Sequence, residues 1–513
     1  MTRPWLAEYP AHVAPDLPLP TRSMIDIWES TVAARAAAPA VYHFDRAISF
    51  GEIDEQAERF AALLRDFGIG AGDRVAVSLQ NDLEFLVVQY GAWKRGAVLV
   101  PLSALFKEKE IGYHLRDSGA RLWVCRDELL VAAQVERVLT LSELRTALAH
   151  AQADRAATRV PVGVDHLAFL VYTSGTTGQP KGSMGLHRHI AFNANAIRAW
   201  FQIDASDVIA GVAPLFHITG LVAHLALSAI TGAPLILAER FQAAEMMRLM
   251  EKWRATMTLA AITAFIAMMR EPGERDLSRL TKCGTGGAPV PPAVASRFEE
   301  RFGVRVHNTY GLTESNSPSH MTPMGRRGPV DTASGALAIG LPVPNSLAKI
   351  VDAADPSRTM APGETGEIAL RGPMMFDGYW RNPEATAAAW HDGFFLTGDI
   401  ATMDERGWFY IVDRKKDMIV ASGFKVWPRE VEDVLYQHPA VREAAVVGDP
   451  DEYRGETVRA VVALKAGCVV TAGELMAFCQ ARMAAYKYPR AVEFVEELPK
   501  TATGKFLRRA LRR

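Results

Sequence analysis

A chain of 513 residues exceeds what one hydrophobic core ordinarily organises, so two or more domains are expected. Its 49% apolar content argues against disorder, and 57 basic against 58 acidic residues leave no global positive field for nucleic acid. The four cysteines, Cys125, Cys283, Cys468 and Cys479, show no Cys-x-x-Cys or metal spacing, which suits a reducing compartment where they act as small apolar residues.

Helical and strand patterns alternate through the first 400 residues. The opening MTRPWLAEYP has no apolar run of the kind a secretory signal needs, so a cytoplasmic location is expected. Ser49 to Glu52 reads SFGE, the form of a capping box. Behind it Ile53, Ala57, Phe60, Ala61 and Leu64 recur at helical spacing. Gly68 to Asp73, GIGAGD, precedes a strand instead of following one and reads as a turn, not a dinucleotide site. The strand RVAVSL (Arg74 to Leu79), a helix over Glu84 to Lys94 and a strand over Ala97 to Leu102 give the rhythm of a parallel sheet wrapped by helices. The most apolar stretch, Leu221 to Ala238, is 18 residues long and broken by His224, Gly232 and Pro234. That is marginal for a membrane span and predicts a buried helix followed by a strand, with no integral membrane segment.

A domain boundary is expected near residue 413. Tyr410 to Val412 reads as a strand end, and Asp413-Arg414-Lys415-Lys416-Asp417 has a charge density that solvent favours. Beyond it Pro428 opens a helix with Glu430, Glu432 and Asp433 in its first turns, a favourable match to the helix dipole. Apolar strands over Val441 to Val447 and Val458 to Leu464 follow, and Thr471 to Glu474 (TAGE) repeats the capping box. Together these predict a small α+β domain. The terminal Arg508, Arg509, Arg512 and Arg513 read as a solvated helix end.

Tyr172 to Gly182 reads YTSGTTGQPKG, and it is the most informative stretch of the chain. Gly175 and Gly178 permit backbone angles other residues resist, so the N–H groups and hydroxyls can turn together toward an anion. Lys181 adds a positive charge. The loop points to phosphate binding without being a Walker A motif, since G-x-x-x-x-G-K-[ST] is absent. Five further segments accompany it: GTGGAP (Gly284 to Pro289), NTYGLTES (Asn308 to Ser315), GETGEIALRG (Gly363 to Gly372), Thr397-Gly398-Asp399 after FFL, and PKTATGK (Pro499 to Lys505).

In this order they resemble the AMP-forming acyl-CoA synthetases of the adenylate-forming superfamily, over essentially the whole chain. The resemblance implies an α/β fold: a large N-terminal domain of stacked sheets with a β-barrel-like part, and a small mobile α+β lid. The implied division is 1–412 for the nucleotide- and acyl-binding domain, 413–416 for the hinge around Lys416, and 417–513 for the lid. Two half-reactions are implied, with ATP, Mg²⁺ and coenzyme A. A carboxylate attacks the α-phosphate of ATP to give acyl-AMP and pyrophosphate, and a thiol then displaces AMP. The acid, with a pKa of about 4–5, is already ionised at neutral pH, so no general base is needed. Charge compensation is needed instead. An ammonium about 4 Å from a phosphate charge gains roughly 4 kcal/mol at an effective dielectric of about 20.

The family pattern implies these roles. Thr173, Ser174, Gly175, Thr176, Thr177, Gly178 and Lys181 would wrap the β- and γ-phosphates. Gly287, Ala288 and Pro289 would line the adenine, with Tyr310 stacked on the base, and Asn308 and Gly311 would also bind the cofactor. Thr313 would bond the α-phosphate and Glu314 would hold Mg²⁺, an ion that prefers oxygen ligands. Asp399 would accept from the ribose hydroxyls, with Arg414 in support. Lys505 would reach the α-phosphate and carboxylate during adenylation. In a second pose of the lid, Ser422, Gly423, Phe424 and Lys425 would line the pantetheine channel.

APLFH (Ala213 to His217) matches the family segment bordering the acyl site, where Phe216 and His217 would gate the pocket or the thiol entrance. The plainer reading of the pair is a buried aromatic and a satisfied histidine. Ala261, Ile262, Thr263, Gly284 to Gly286, Gly340 and Leu341 are expected to line an apolar pocket, with glycines 284 and 286 leaving room for a long tail. A charged tail would lie unpaired there, so an apolar acid is favoured. The stretches PWLAEYPAHV (Pro4 to Val13) and Lys415 to Val441 are similar to medium- and long-chain fatty-acid ligases. Alternatives are an arylalkanoate or cinnamate ligase, an adenylation enzyme acylating a carrier-protein thiol, and a nucleotide-binding pseudoenzyme. A homodimer is compatible with this reading. One departure stands out: the family usually places threonine before the histidine that follows the phosphate loop, whereas Gly185 and Leu186 precede His187.

Overall fold

The SFGE box closes as read. Ser49 Oγ accepts from the Glu52 N–H at 3.2 Å, and Glu52 Oε2 accepts from the Ser49 N–H at 2.8 Å. In this computed structural model, which describes residues 2–512 apart from 130–134, 174–178, 289, 333, 415–416, 422–423, 452–454 and 501–505, the capped helix is Phe50–Asp66. Ile53, Ala57, Phe60, Ala61 and Leu64 are all buried. Each large apolar side chain in such a stripe stabilises by about 1.5–3 kcal/mol. The stripe packs on the helix Leu83–Lys94, where a Cβ on Gly91 would lie 2.7 Å from the Ala57 carbonyl oxygen. Lys94, wholly buried, is held there by Glu58 at 2.5 Å and Asp54 at 2.9 Å.

Two sheets dominate the N-terminal domain. A six-stranded sheet runs in the order Arg137–Thr140, Leu122–Cys125, Arg74–Ser78, Val98–Pro101, Leu167–Thr173, Lys181–Leu186. Its pairings are parallel except the last, an edge hairpin whose connection is the phosphate loop. A nine-stranded sheet is parallel from Val306–Leu312 through Lys282–Gly286, Met257–Ala261, Ile209–Ala210 and Leu235–Leu237 to Pro39–His43, with antiparallel strands at both edges. The expected rhythm of strands and helices is therefore present in both. A third, antiparallel sheet of five strands includes Gly366–Arg371, Phe394–Met403 and Phe409–Arg414.

Leu221 to Ala238 folds inside the main core. A π-helical stretch Gly220–Ala226 runs into the helix Leu227–Thr231 and then the strand Leu235–Leu237. Among the described residues no helix is long and apolar enough to cross a membrane. Cys125, Cys283 and Cys479 are buried and Cys468 is exposed, all as free thiols.

The smaller C-terminal domain has its own core around Ile419, Val431, Leu435, Val446, Val462 and Leu475. A five-stranded sheet, including Val441–Asp451 and Gly455–Leu464, carries the helices Pro428–Tyr436 and Ala472–Gln480. The TAGE box caps the second helix, with Glu474 Oε2 accepting from the Thr471 N–H at 2.8 Å.

Two expectations need correction here. Within the charged run after Val412, Asp413 and Asp417 are buried at 3% and 9% exposure, not solvated. Nor is Arg508 part of a solvated helix end: both its terminal nitrogens reach carboxylates, Glu432 at 2.7 Å and Asp417 at 3.3 Å. Arg512 meets Asp417 at 3.1 Å. Burial opposes the Arg508 charge, but Glu432, Asp413 and Asp417 outweigh it and hold its pKa above the ordinary value. Charges spaced along the chain pair across the fold once the tail packs beside Asp413 and Asp417.

Candidate active site

The hairpin that carries the phosphate loop sets the geometry of the site. Thr173 and Lys181 are registered partners at its base. Residues 376–380 lie against the same edge strand: the Asp377 N–H donates to the Met184 carbonyl at 3.0 Å and the Trp380 N–H to the Gly182 carbonyl at 2.7 Å. A Cβ on Gly182 would fall 2.9 Å from Leu170 and 3.3 Å from Trp380, which explains a glycine after the lysine. Tyr379 is thereby brought beside Lys181, whose ammonium sits 4.8 Å from the ring centroid.

Thr313 and Glu314 occupy a tight turn at the C-terminal end of the parallel strand Val306–Leu312, the end where open α/β sheets bind ligands. Asn316 and Ser317 take positive φ values of 49° and 92° there, a strained backbone that non-glycine residues rarely adopt. Asn193 stabilises it by donating to the carbonyls of Ser315 and Asn316 at 2.8 and 2.9 Å. Gly185 lets the edge strand approach this turn, since a Cβ on it would lie 2.7 Å from Asn316 Oδ1. His187, two residues on, is a core residue whose Nδ1 accepts from the Met24 N–H at 3.3 Å, and burial lowers its pKa to about 3. The departure from the family pattern at 185–186 is thus packed against the turn and the core.

Glu314 Oε1 accepts from the Tyr379 hydroxyl at 2.8 Å. Burial raises the Glu314 pKa above the usual carboxylate value, and the nearby Asp399 adds to the rise while Tyr379 and Lys181 oppose it. Asp399 itself sits in the strand Phe394–Met403 after a bend at Gly398, where φ is +73° and the N–H is taken by Glu367 at 2.8 Å. Its Oδ2 accepts from the Tyr310 hydroxyl at 2.6 Å, which fixes the ring of Tyr310.

Thr173, Lys181, Tyr310, Thr313, Glu314 and Asp399 line one cleft of 3620 Å³. Gly287, Ala288, Asn308 and Gly311 are on its wall, and so are Phe216, His217, Ala261, Ile262 and Thr263. Lys500, Phe506 and Arg508 of the C-terminal domain face the same cleft. Ser174, Gly175, Thr176, Thr177, Gly178, Pro289, Lys416, Ser422, Gly423 and Lys505 lie outside the described residues, as do the side chains of Arg414, Phe424 and Lys425.

Several acyl-pocket expectations are corrected. Gly284 does not line the cleft; a Cβ there would meet Leu259 and Phe201 at the ordinary contact distance of 3.4–3.5 Å, so this glycine faces the core and makes no room for a tail. Thr285, Gly340 and Leu341 are likewise buried away from the cleft. Gly340 has φ +105° and touches Met321 backbone, a reason for glycine unrelated to substrate. Beyond Ala261–Thr263 the cleft wall also carries Arg270 and Arg297, so it is not uniformly uncharged.

Tyr379 and Asn81 were not found by motif reading. Asn81 clamps the APLFH segment, donating to the carbonyls of Gly211 and Ala213 at 2.9 and 3.2 Å and accepting from the Leu215 N–H at 2.9 Å. His224, its pKa lowered to about 4 by burial, accepts from the Ala213 N–H at 3.1 Å. Neither Tyr379 nor Asn81 stands in a glycine-rich motif; their partners lie tens to hundreds of residues away. Phe216 and His217 follow on the clamped segment, His217 only part-buried at the cleft.

A divalent cation fits beside Glu314. Desolvation and the neighbouring Asp399 disfavour the Glu314 charge, and a cation there would offset both. Among the described residues no three His, Cys, Asp or Glu side chains converge as a metal cluster. An ion here would therefore take its further oxygen ligands from a bound phosphate.

Comparison with known proteins shows the family. The model of the AMP-binding enzyme family matches residues 28–380, and that of the AMP-binding enzyme C-terminal domain matches 430–505. The chain is 35% identical to a long-chain-fatty-acid–CoA ligase of Bacillus subtilis (strain 168), over 99% of its own length and 97% of the relative's. It is 36% identical to a feruloyl-CoA synthase of an Amycolatopsis species, over 93% and 96% of the two chains. An anthranilate CoA ligase solved in complex with anthranoyl-AMP superposes with a TM-score of 0.87 at 28% identity, covering 96% of this chain and 97% of that one.

Proposed function

This chain belongs to the AMP-binding enzyme family, as an AMP-forming acid–thiol ligase using ATP, Mg²⁺ and coenzyme A, and we propose that its acid is a medium- or long-chain fatty acid. The observation that carries the proposal is the run of Ala213, Phe216, Ala261 and Ile262 along the cleft that also holds Lys181, Glu314 and Asp399. An apolar tail buried on that wall gains about 25 cal/mol per Å² removed from water, whereas a charged tail would lose its hydration.

In the first half-reaction a carboxylate oxygen attacks the α-phosphorus, and the bond to the bridging oxygen breaks as pyrophosphate leaves. In the second, the coenzyme A sulfur attacks the acyl carbon and AMP departs. On this reading Lys181 compensates the β- and γ-phosphate charge, Thr313 holds the α-phosphate, and Asp399 and Tyr310 orient the ribose and base. Glu314 would hold Mg²⁺, which would supply further charge neutralisation for the phosphates. Residues 1–412 would act as the body, 413–416 as the hinge and 417–513 as a lid that alternates between an adenylating and a thioester-forming pose. Lys505 would serve only the first.

A pyrophosphate-release screen over acids of graded length, with and without coenzyme A, tests the proposal. Turnover on dodecanoate above that on 4-coumarate supports it. The reverse order favours the second reading, an arylalkanoate or cinnamate ligase, which the feruloyl-CoA synthase relative supports.

A further inference from the structure

Asp413 makes a contact across the hinge to which neither half-reaction assigns a chemical role. It sits on the last N-terminal strand, Phe409–Arg414, in register with Ile400. Its carboxylate nevertheless faces the C-terminal domain. Oδ2 accepts from the Arg429 N–H at 2.8 Å, in the first turn of the helix Pro428–Tyr436, and Oδ1 lies 3.8 Å from Arg508 Nη1. Arg429 adds a second tie by donating Nη1 to the Ile411 carbonyl at 3.1 Å. Asp413, Arg429 and Glu432 are buried at 3%, 5% and 5% exposure, so water competes little for these bonds.

Rotation of the lid about the residues between Asp413 and Asp417 would carry Arg429 and Arg508 away while Asp413 stays on its strand. The contacts therefore belong to one pose. It is the pose in which Lys500, Phe506 and Arg508 line the same cleft as Lys181, Glu314 and Asp399. Opening is nonetheless affordable for the arginine. Glu432 and Asp417 move with the lid and keep Arg508 paired, at 2.7 and 3.3 Å, while Asp413 and Arg429 exchange the bonds that cross the hinge for others.

We propose that Asp413, with Arg429 and Arg508, forms a cross-hinge latch that positions the lid for adenylation and must release before thioester formation. These are positioning residues, and the inference rests on the two-pose reading of the lid.

The test measures the half-reactions separately in the full-length enzyme: ATP–pyrophosphate exchange with an accepted acid, and thioester formation from supplied acyl-AMP and coenzyme A. Asp413→Asn, nearly isosteric, and Arg508→Gln are expected to slow exchange by about tenfold while thioester formation stays within about twofold of the parent or rises. Arg508→Lys, which keeps a cation among the carboxylates and guards against a misfolded glutamine variant, should lose less. An equal fall in both half-reactions, as plain destabilisation would cause, overturns the latch, as does unchanged exchange in Asp413→Asn. If the parent enzyme exchanges pyrophosphate with no acid at all, the proposed function fails; if it exchanges and the variants show no split, the latch alone fails.

Discussion

Tyr379 and Glu314, 65 residues apart in the chain, meet in a 2.8 Å hydrogen bond beneath the Lys181 ammonium. The hydroxyl is one of the groups that keep a buried carboxylate ionisable, and the ring that carries it is the platform for the lysine.

Tyr379→Phe should therefore act on the acid limb of catalysis. Removing the hydroxyl withdraws an interaction that lowers the Glu314 pKa, so that pKa rises further. Adenylation needs the carboxylate, and its rate should begin to fall at a higher pH than in the parent as the pH is lowered. A pH profile of ATP–pyrophosphate exchange checks this, with a loss at neutral pH of about tenfold, in line with a buried acceptor losing about 1–3 kcal/mol. An unmoved acid limb counts against the role given to the pair.

Glu314→Gln should separate activity from stability. The folded pKa lies above the unfolded one because burial disfavours the charge. The stability this group contributes is present below its unfolded pKa and lost as pH rises through the folded value. The neutral amide escapes that loss. The variant's thermal midpoint in the absence of nucleotide should exceed the parent's more at about pH 8 than at about pH 5, while Mg²⁺-dependent exchange disappears.

The Tyr310–Asp399 bond of 2.6 Å predicts a nucleotide-specific defect. Asp399→Ala should raise the KM for ATP by about tenfold or more, with the KM for the acid little changed. Tyr310→Phe should do the same more weakly, because the ring stays. Steady-state kinetics with each substrate varied in turn discriminate this from a general loss of fold.

Lys94 offers a control far from the chemistry. It is wholly buried between Glu58 and Asp54. Lys94→Ala leaves both carboxylates uncompensated and should cost about 3–5 kcal/mol in chemical denaturation. Adding Glu58→Gln to it should restore part of the loss.

What could be read along the chain is what short-range chemistry decides. The capping boxes at Ser49–Glu52 and Thr471–Glu474 close through bonds three residues apart, and the helical stripe from Ile53 to Leu64 buries as its period predicts. The phosphate loop, Thr313-Glu314 and Asp399 were legible because each is a contiguous run of unusual residues, and the cleft brings their described members together. Gly284 shows the limit. Its sequence surroundings match a pocket segment, yet which side of the strand Lys282–Gly286 meets the core depends on Leu259 and Phe201.

By itself the sequence determined the family and the two half-reactions that membership implies, and it singled out candidate nucleotide-binding residues, since those depend on residue type and local spacing. Tertiary structure alone decided that Tyr379 serves Glu314, that Asn81 clamps the APLFH segment, and that buried Asp413 and part-buried Arg508 are partners where a solvated charge run and a solvated helix end were expected. The physical reason is common to all of them. Burial and pairing energies depend on which distant surfaces pack together, and no local pattern encodes a partner dozens to hundreds of residues away.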